Sequence, residues 1–157
     1  MVEIILRPMF GSDIEFLRRL RNANRKFFFD QNYISKDRHC EWIKNERKSK
    51  NSFIFIIDLI VKRIPNRIGT ISLVNYKQKA KSAELGRFII TKAYRGRGLG
   101  CLVIEKFKSI CRLLRVSKLS LCIRSDNKYT LDLYKKLGFR ISKIDVKNGK
   151  ITMLTRI

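Results

Sequence analysis

At 157 residues the chain has the length of one domain, enough to bury a core without disulfide or metal staples. Hydrophobic residues make up 45% and charged residues 31%, which excludes a disordered or fibrous chain. The longest apolar run, Phe53 to Ile57, falls far short of the ~20 residues of a membrane span, and the N-terminus carries no signal-peptide pattern. Lys and Arg number 36 against 13 Asp and Glu; the net charge of +23 draws anions and repels basic partners.

Residues 1–157 read as one domain, without repeats or linkers. Val2–Leu6 is a short apolar strand. Ser12 and Glu15 have the spacing of a capping box ahead of a first helix with Ile14, Leu17 and Leu20 on its apolar face. Ser35 is placed to cap a second helix carrying His39, Trp42 and Ile43. Phe53–Val61 and Gly69–Tyr76 read as strands around a turn at Pro65-Asn66, and Ala83–Ile90 as a third. Gly98–Leu114 has the three-and-four repeat of a long helix, and Leu119–Ile123 returns to strand. Asn127–Leu137 is a short helix closed by Gly138. Phe139–Val146 and Ile151–Ile157 flank the hairpin signal Asn148-Gly149. The order β-α-α-β-β-β-α-β-α-β-β predicts an α/β sandwich around a mixed sheet of about seven strands flanked by about four helices.

Cys40, Cys101, Cys111 and Cys122 form no CxxC pair, and His39 is the one histidine, so no metal site is expected. Cysteines within apolar stretches point to reduced core residues and a cytoplasmic protein.

The most specific segment is Ala83-Glu-Leu-Gly-Arg-Phe-Ile-Ile90 followed by Arg95-Gly96-Arg97-Gly98-Leu99-Gly100. A strand runs into a glycine-rich turn that opens a helix. Free amides and the positive dipole end form an anion site there, and glycine admits the backbone curl around a phosphate. Neither GxxxxGK[ST] nor GxGxxG/A fits the spacing. A turn that merely joins strand to helix is the plainer alternative.

Arg95-x-x-Gly98-x-Gly100 resembles the pyrophosphate signature of the GNAT superfamily of N-acetyltransferases. Asn127, then Leu133-Tyr134, then Gly138-Phe139 resemble its second motif, and the element order matches over nearly the whole chain. The resemblance implies acetyl-coenzyme A as co-substrate, without a metal. Its pyrophosphate would lie on the amides of Arg95, Gly96, Arg97, Gly98, Leu99 and Gly100. Its pantetheine would pair with Phe88, Ile89 and Ile90, on a strand that bulges away from its neighbour. Acetyl would pass directly to an amine. Tyr134 stands where the family places the acid for the leaving thiolate, or is a core aromatic. Glu84 is a candidate base or an ion-pair partner, and His39 the other titratable candidate. Asn127 holds cofactor, caps its helix, or does both.

Arg21-Asn22 and Ser35…His39…Trp42 resemble the sub-group containing the nucleotide-sugar N-acetyltransferases of the pseudaminic-acid pathway. This marks Arg21, Asn22, His39 and Trp42 as acceptor-site residues. Trp42 and Phe27–Phe29 serve equally as packing. The charge favours an anionic acceptor such as a nucleotide-linked amino sugar over polyamines or lysine-rich tails. An N-terminal acetyltransferase docking on ribosomes, or a non-catalytic nucleic-acid module on the same scaffold, are the alternatives. A sheet edge near the C-terminal hairpin admits a homodimer.

Overall fold

The computed structural model describes residues 2–157. Seven strands form one sheet: β1 (Glu3–Pro8), β2 (Phe53–Val61), β3 (Ile64–Lys77), β4 (Ser82–Ile90), β5 (Lys118–Arg124), β6 (Arg140–Asp145) and β7 (Lys150–Arg156). Their order is β1-β2-β3-β4-β5-β7-β6. All neighbours run antiparallel except β4 and β5. The helices are α1 (Ile14–Ala23), α2 (Lys36–Lys48), α3 (Leu99–Leu113) and α4 (Lys128–Lys136). The α/β architecture expected from the element order is the one observed.

The alternation of β2 and β3 divides the apolar side chains between two faces of the sheet. Ile57, Ile71 and Leu73 join Val103, Ile104, Phe107 and Cys111 of α3 and Tyr134 of α4 in the main core. Ile56 joins Leu17 of α1 and Ile43 of α2 in a smaller one. Buried Lys108 on α3 donates to the Leu137 carbonyl at the end of α4, 2.7 Å away, and so ties the two helices.

Three local expectations are corrected. The α1 cap is not Ser12 with Glu15. A 3-10 turn over Gly11–Asp13 precedes the helix, and the fully buried Asp13 carboxylate accepts from the Phe10 amide at 2.8 Å. Arg7 and Arg67, each 2.7 Å away, hold that carboxylate well below its ordinary range despite the burial. Glu15 instead pairs with Arg18 and Arg19. The hairpin turn of β2 and β3 is Lys62-Arg63, both at positive φ, rather than Pro65-Asn66. Pro65 is tolerated within β3 because β4 pairs only from Gly69 onward, so one side of β3 needs no donor there. The open sheet edge near the C-terminal hairpin is β6, with β7 paired on both sides. Finally, the cysteines are not all core residues. Of the four free thiols only Cys111 is buried. Cys101 is exposed, and Cys40 and Cys122 lie half-buried.

Candidate active site

The parallel ladder between β4 and β5 has only three pairs, from Ser82–Lys118 to Glu84–Ser120. Beyond it the strands separate. The cause lies one strand over, where two steps along β3 (Thr70 to Ser72) match three along β4 (Ile89 to Gly86). This bulge turns β4 away from β5. At its centre Arg87 has φ +51, a left-handed conformation that costs a non-glycine residue about 1–2 kcal/mol. Its guanidinium donates to both Glu46 carboxylate oxygens at 3.0 and 3.1 Å and lies 4.7 Å from the Trp42 ring centre. Helix α2 therefore holds the bulge open. On the other flank, a Cβ on Gly69 would come within 2.2 Å of the Ile89 carbonyl oxygen, so only glycine lets the backbones approach there.

The parted strands enclose a cavity of about 740 Å³. Its walls include Phe88, Ile89 and Ile90 of β4, Leu121 to Arg124 of β5, Asn127 and Tyr134 of the α4 region, and the loop residues Arg95, Gly96, Gly98, Leu99 and Gly100. Gly96 and Gly98 sit at φ +72 and +74, the left-handed region that glycine enters without a Cβ penalty. Gly98 caps α3 without a side chain, so the first amides of the helix keep their donors for a ligand. The glycine-loop residues thus line the cavity, except Arg97, whose guanidinium stacks 5.4 Å from the Tyr94 ring; of the second motif Asn127, Leu133 and Tyr134 line it and Gly138 and Phe139 do not. The Arg95 guanidinium turns inward, donating to the Ile90 carbonyl at 2.7 Å and to the Asn24 side chain. The Arg95 guanidinium thus ties the loop to the end of α1.

Tyr134 is buried, with its ring 5.3 Å edge-on from Phe139. Burial alone pushes its phenol above the ordinary value near 10, so it stays protonated through the neutral range. Asn127 caps α4, accepting from the Thr130 amide at 3.2 Å, and lines the cavity as well. Glu84 lies where the ladder ends and accepts from the Asn75 side-chain amide at 2.9 Å. A neutral partner, rather than a cation, holds it.

Arg21, Asn22, His39 and Trp42 do not line this cavity. Each is used by the fold instead. Asn22 clamps Ile34 by accepting from its amide at 2.9 Å and donating to its carbonyl at 3.0 Å. Arg21 stacks 3.8 Å from the Phe28 ring centre and donates to the Asp30 carbonyl. Both shape the loop that delivers Phe27, Phe28 and Phe29 to the cavity mouth. His39 is buried against Trp42, and burial lowers its pKa from the usual imidazole value. Trp42 packs on Arg87. Sequence reasoning missed Arg124 and Lys150 at the mouth, and Glu46 behind the bulge.

The profile of the Acetyltransferase (GNAT) family matches residues 17–139. This chain belongs to that family. As GNAT acetyltransferases use acetyl-coenzyme A, the fit of that molecule can be judged from the chain. The unsealed edge of β4, the uncapped start of α3 and the 740 Å³ cavity between them supply a slot, backbone partners and an anion cradle in one line. They suit a long pantetheine ending in a pyrophosphate.

An uncharacterized N-acetyltransferase of Methanocaldococcus jannaschii is 25% identical over 130 residues, 82% of this chain; the chain spans 57% of that relative's length. A solved domain from the same organism superposes with a TM-score of 0.86 at 20% identity, covering 100% of both chains. A Vibrio cholerae spermidine N-acetyltransferase in complex with coenzyme A and spermine superposes at 0.84, with 22% identity over 98% of this chain and 95% of that one, and has been solved as a dodecamer. At these identities the structural likeness shows the shared fold. No helix among the described residues is long and apolar enough to cross a membrane.

Proposed function

We propose that this GNAT member is a cytoplasmic acetyl-coenzyme-A-dependent N-acetyltransferase whose acceptor is a primary amine on an anionic small molecule, a nucleotide-linked amino sugar first. Acetyl-coenzyme A supplies an acetyl group as a thioester, already activated toward an amine. The amides of Gly98, Leu99 and Gly100 hold its pyrophosphate, and Phe88 to Ile90 offer unpaired backbone to the pantetheine. The attacking amine must be neutral, and Glu84, held by a neutral amide at the end of the ladder, takes its proton directly or through water. The Tyr134 phenol, protonated by burial, donates to the departing sulfur.

The observation that carries the acceptor class is the charge facing the cavity. Among the described residues Glu84 is the only carboxylate in the lining, against Arg87, Arg95, Arg124 and Lys150. Arg87 and Arg124 are already balanced by Glu46 and Asp126 outside the lining, but no further carboxylate awaits a second ammonium. A polyamine, the molecule bound by the Vibrio cholerae structure, needs several. The aromatic mouth of Phe27, Phe28 and Phe29 with Lys150 suits a ring bearing negative charge. Release of coenzyme A thiol is measured against UDP-linked amino sugars, spermidine, free amino acids and N-terminal peptides. Turnover on the amino sugars supports the reading; turnover confined to spermidine or to peptides refutes it.

A further inference from the structure

A second concavity of about 730 Å³ lies on the other side of the Asn24–Arg95 tie. It shares Asn24, Phe27 and Arg95 with the acetyl-coenzyme A cavity. Its floor is an apolar stripe of α1 formed by Phe16, Leu20 and Ala23, and its rim carries Arg19, Lys26, Arg67, Lys92 and Arg95 against one carboxylate, Glu15. Glu15 is taken up by Arg18 and Arg19, Arg67 by Asp13, and Arg95 by Asn24. Lys26 and Lys92 pair with no carboxylate among the described residues. Thr91, next to Lys92 in sequence, has a buried hydroxyl with no hydrogen-bond partner among the described residues, and the residue lines the same concavity. A buried hydroxyl is normally satisfied, and one left open in a concavity whose lining carries two ammoniums without a carboxylate partner marks a place for an acceptor-rich group.

We infer that this cleft is a binding site for a phosphorylated small molecule other than coenzyme A, its phosphates held by Lys26, Lys92 and the Thr91 hydroxyl and its apolar part on the α1 stripe. The volume is that of a small-molecule pocket, and a phosphate supplies the negative charge and lone pairs that these groups lack. The phosphate belongs either to the acceptor, reaching over the shared wall, or to a separate effector.

The probe is inorganic pyrophosphate, titrated calorimetrically into the protein saturated with coenzyme A, so that the glycine loop is already filled. One site is expected. Its affinity falls about tenfold or more in Lys26→Ala/Lys92→Ala and measurably in Thr91→Val, with coenzyme A affinity within twofold of the parent. Absence of binding to the saturated protein, or equal binding by parent and variants, overturns the inference. So does binding to the 3′-dephospho-coenzyme A complex but not to the coenzyme A complex, because the cleft then belongs to the cofactor's own phosphate. None of these readouts needs an acceptor, so they stand apart from the acceptor assignment above. Pyrophosphate inhibition competitive with the amine identifies the acceptor as the source of the phosphate; a change in kcat at constant acceptor KM identifies an effector.

Discussion

Replacing Glu46 with glutamine tests whether α2 holds the slot open. The pair it makes with Arg87 has two hydrogen bonds of 3.0 and 3.1 Å and is shielded from water on the Glu46 side, where the side chain is 17% exposed. Hydrogen bonds to charged groups contribute about 1.5–3 kcal/mol, and the third of the Arg87 side chain that remains exposed reduces this to about 1–2 kcal/mol. That matches the cost of the left-handed backbone at Arg87, about 1–2 kcal/mol. Without the pair, the bulge no longer holds a clear advantage over a regular strand. Glu46→Gln is therefore expected to lower Tm by about 4 °C. It should also raise the KM for acetyl-coenzyme A by up to about tenfold, with kcat changed far less, because only a fraction of molecules present the open slot. Arg87→Gly is the control: it removes the pair and the backbone cost together, and should keep KM near the parent value. Differential scanning fluorimetry and initial rates read both effects. A KM in Glu46→Gln within twofold of the parent would refute the reasoning. So would an equal rise in Arg87→Gly, which would show that the guanidinium, not the backbone, serves the cofactor.

Tyr134→Phe should cut turnover about 100-fold or more at unchanged Tm, since the fold makes no hydrogen bond to that hydroxyl among the described residues; parent-like turnover would remove Tyr134 as the acid. Gly69→Ala forces a Cβ against the Ile89 carbonyl and should destabilise by at least about 1–3 kcal/mol in urea melts, with loss of acetyl-coenzyme A binding; a neutral outcome would mean that the close approach is dispensable. Burial pushes the Cys111 thiol up to about 12 from 9.0. The unfolded thiol loses its proton first, so stability should fall as pH rises from about 9 toward 12. Denaturant midpoints from pH 8 to 11 should decline less steeply in Cys111→Ala, and parallel declines would sink this assignment.

The strands, the four helices and the glycine loop were legible because each rests on local chemistry. Gly96, Gly98 and Gly138 occupy positive φ, and the apolar repeat of α3 is the face it buries. Ser35 and Asn127 cap the helices that they precede. The device that opens the slot was not legible, because its hinge is an arginine rather than a glycine and its anchor, Glu46, lies 41 residues away in sequence. Lys62-Arg63 likewise gives no turn signal. Asp13 reads as an ordinary acid in a first helical turn until Arg7 and Arg67 arrive from β1 and β3. Arg21, Asn22, His39 and Trp42 were drawn from a short likeness, and spacing alone does not distinguish a side chain that touches an acceptor from one that folds the loop beside it.

The three-pair ladder between β4 and β5 also divides the chain in two. Residues up to Ile90 form β1 to β4, each strand laid against the one before it, and residues from Lys118 onward form β5, β7 and β6. Apart from α3, packed across the main core, few backbone bonds stitch the halves: those three pairs and the Ser117 and Lys118 amides donating to the Lys81 carbonyl. The seam in space is thus also a break in sequence, like the spine of an open book with its pages bound separately. A molecule lying along it touches both halves and adds the mortar that the backbone leaves out. Amide hydrogens of β5 to β7 are therefore expected to exchange more slowly with acetyl-coenzyme A than without it, which hydrogen exchange in the two states checks.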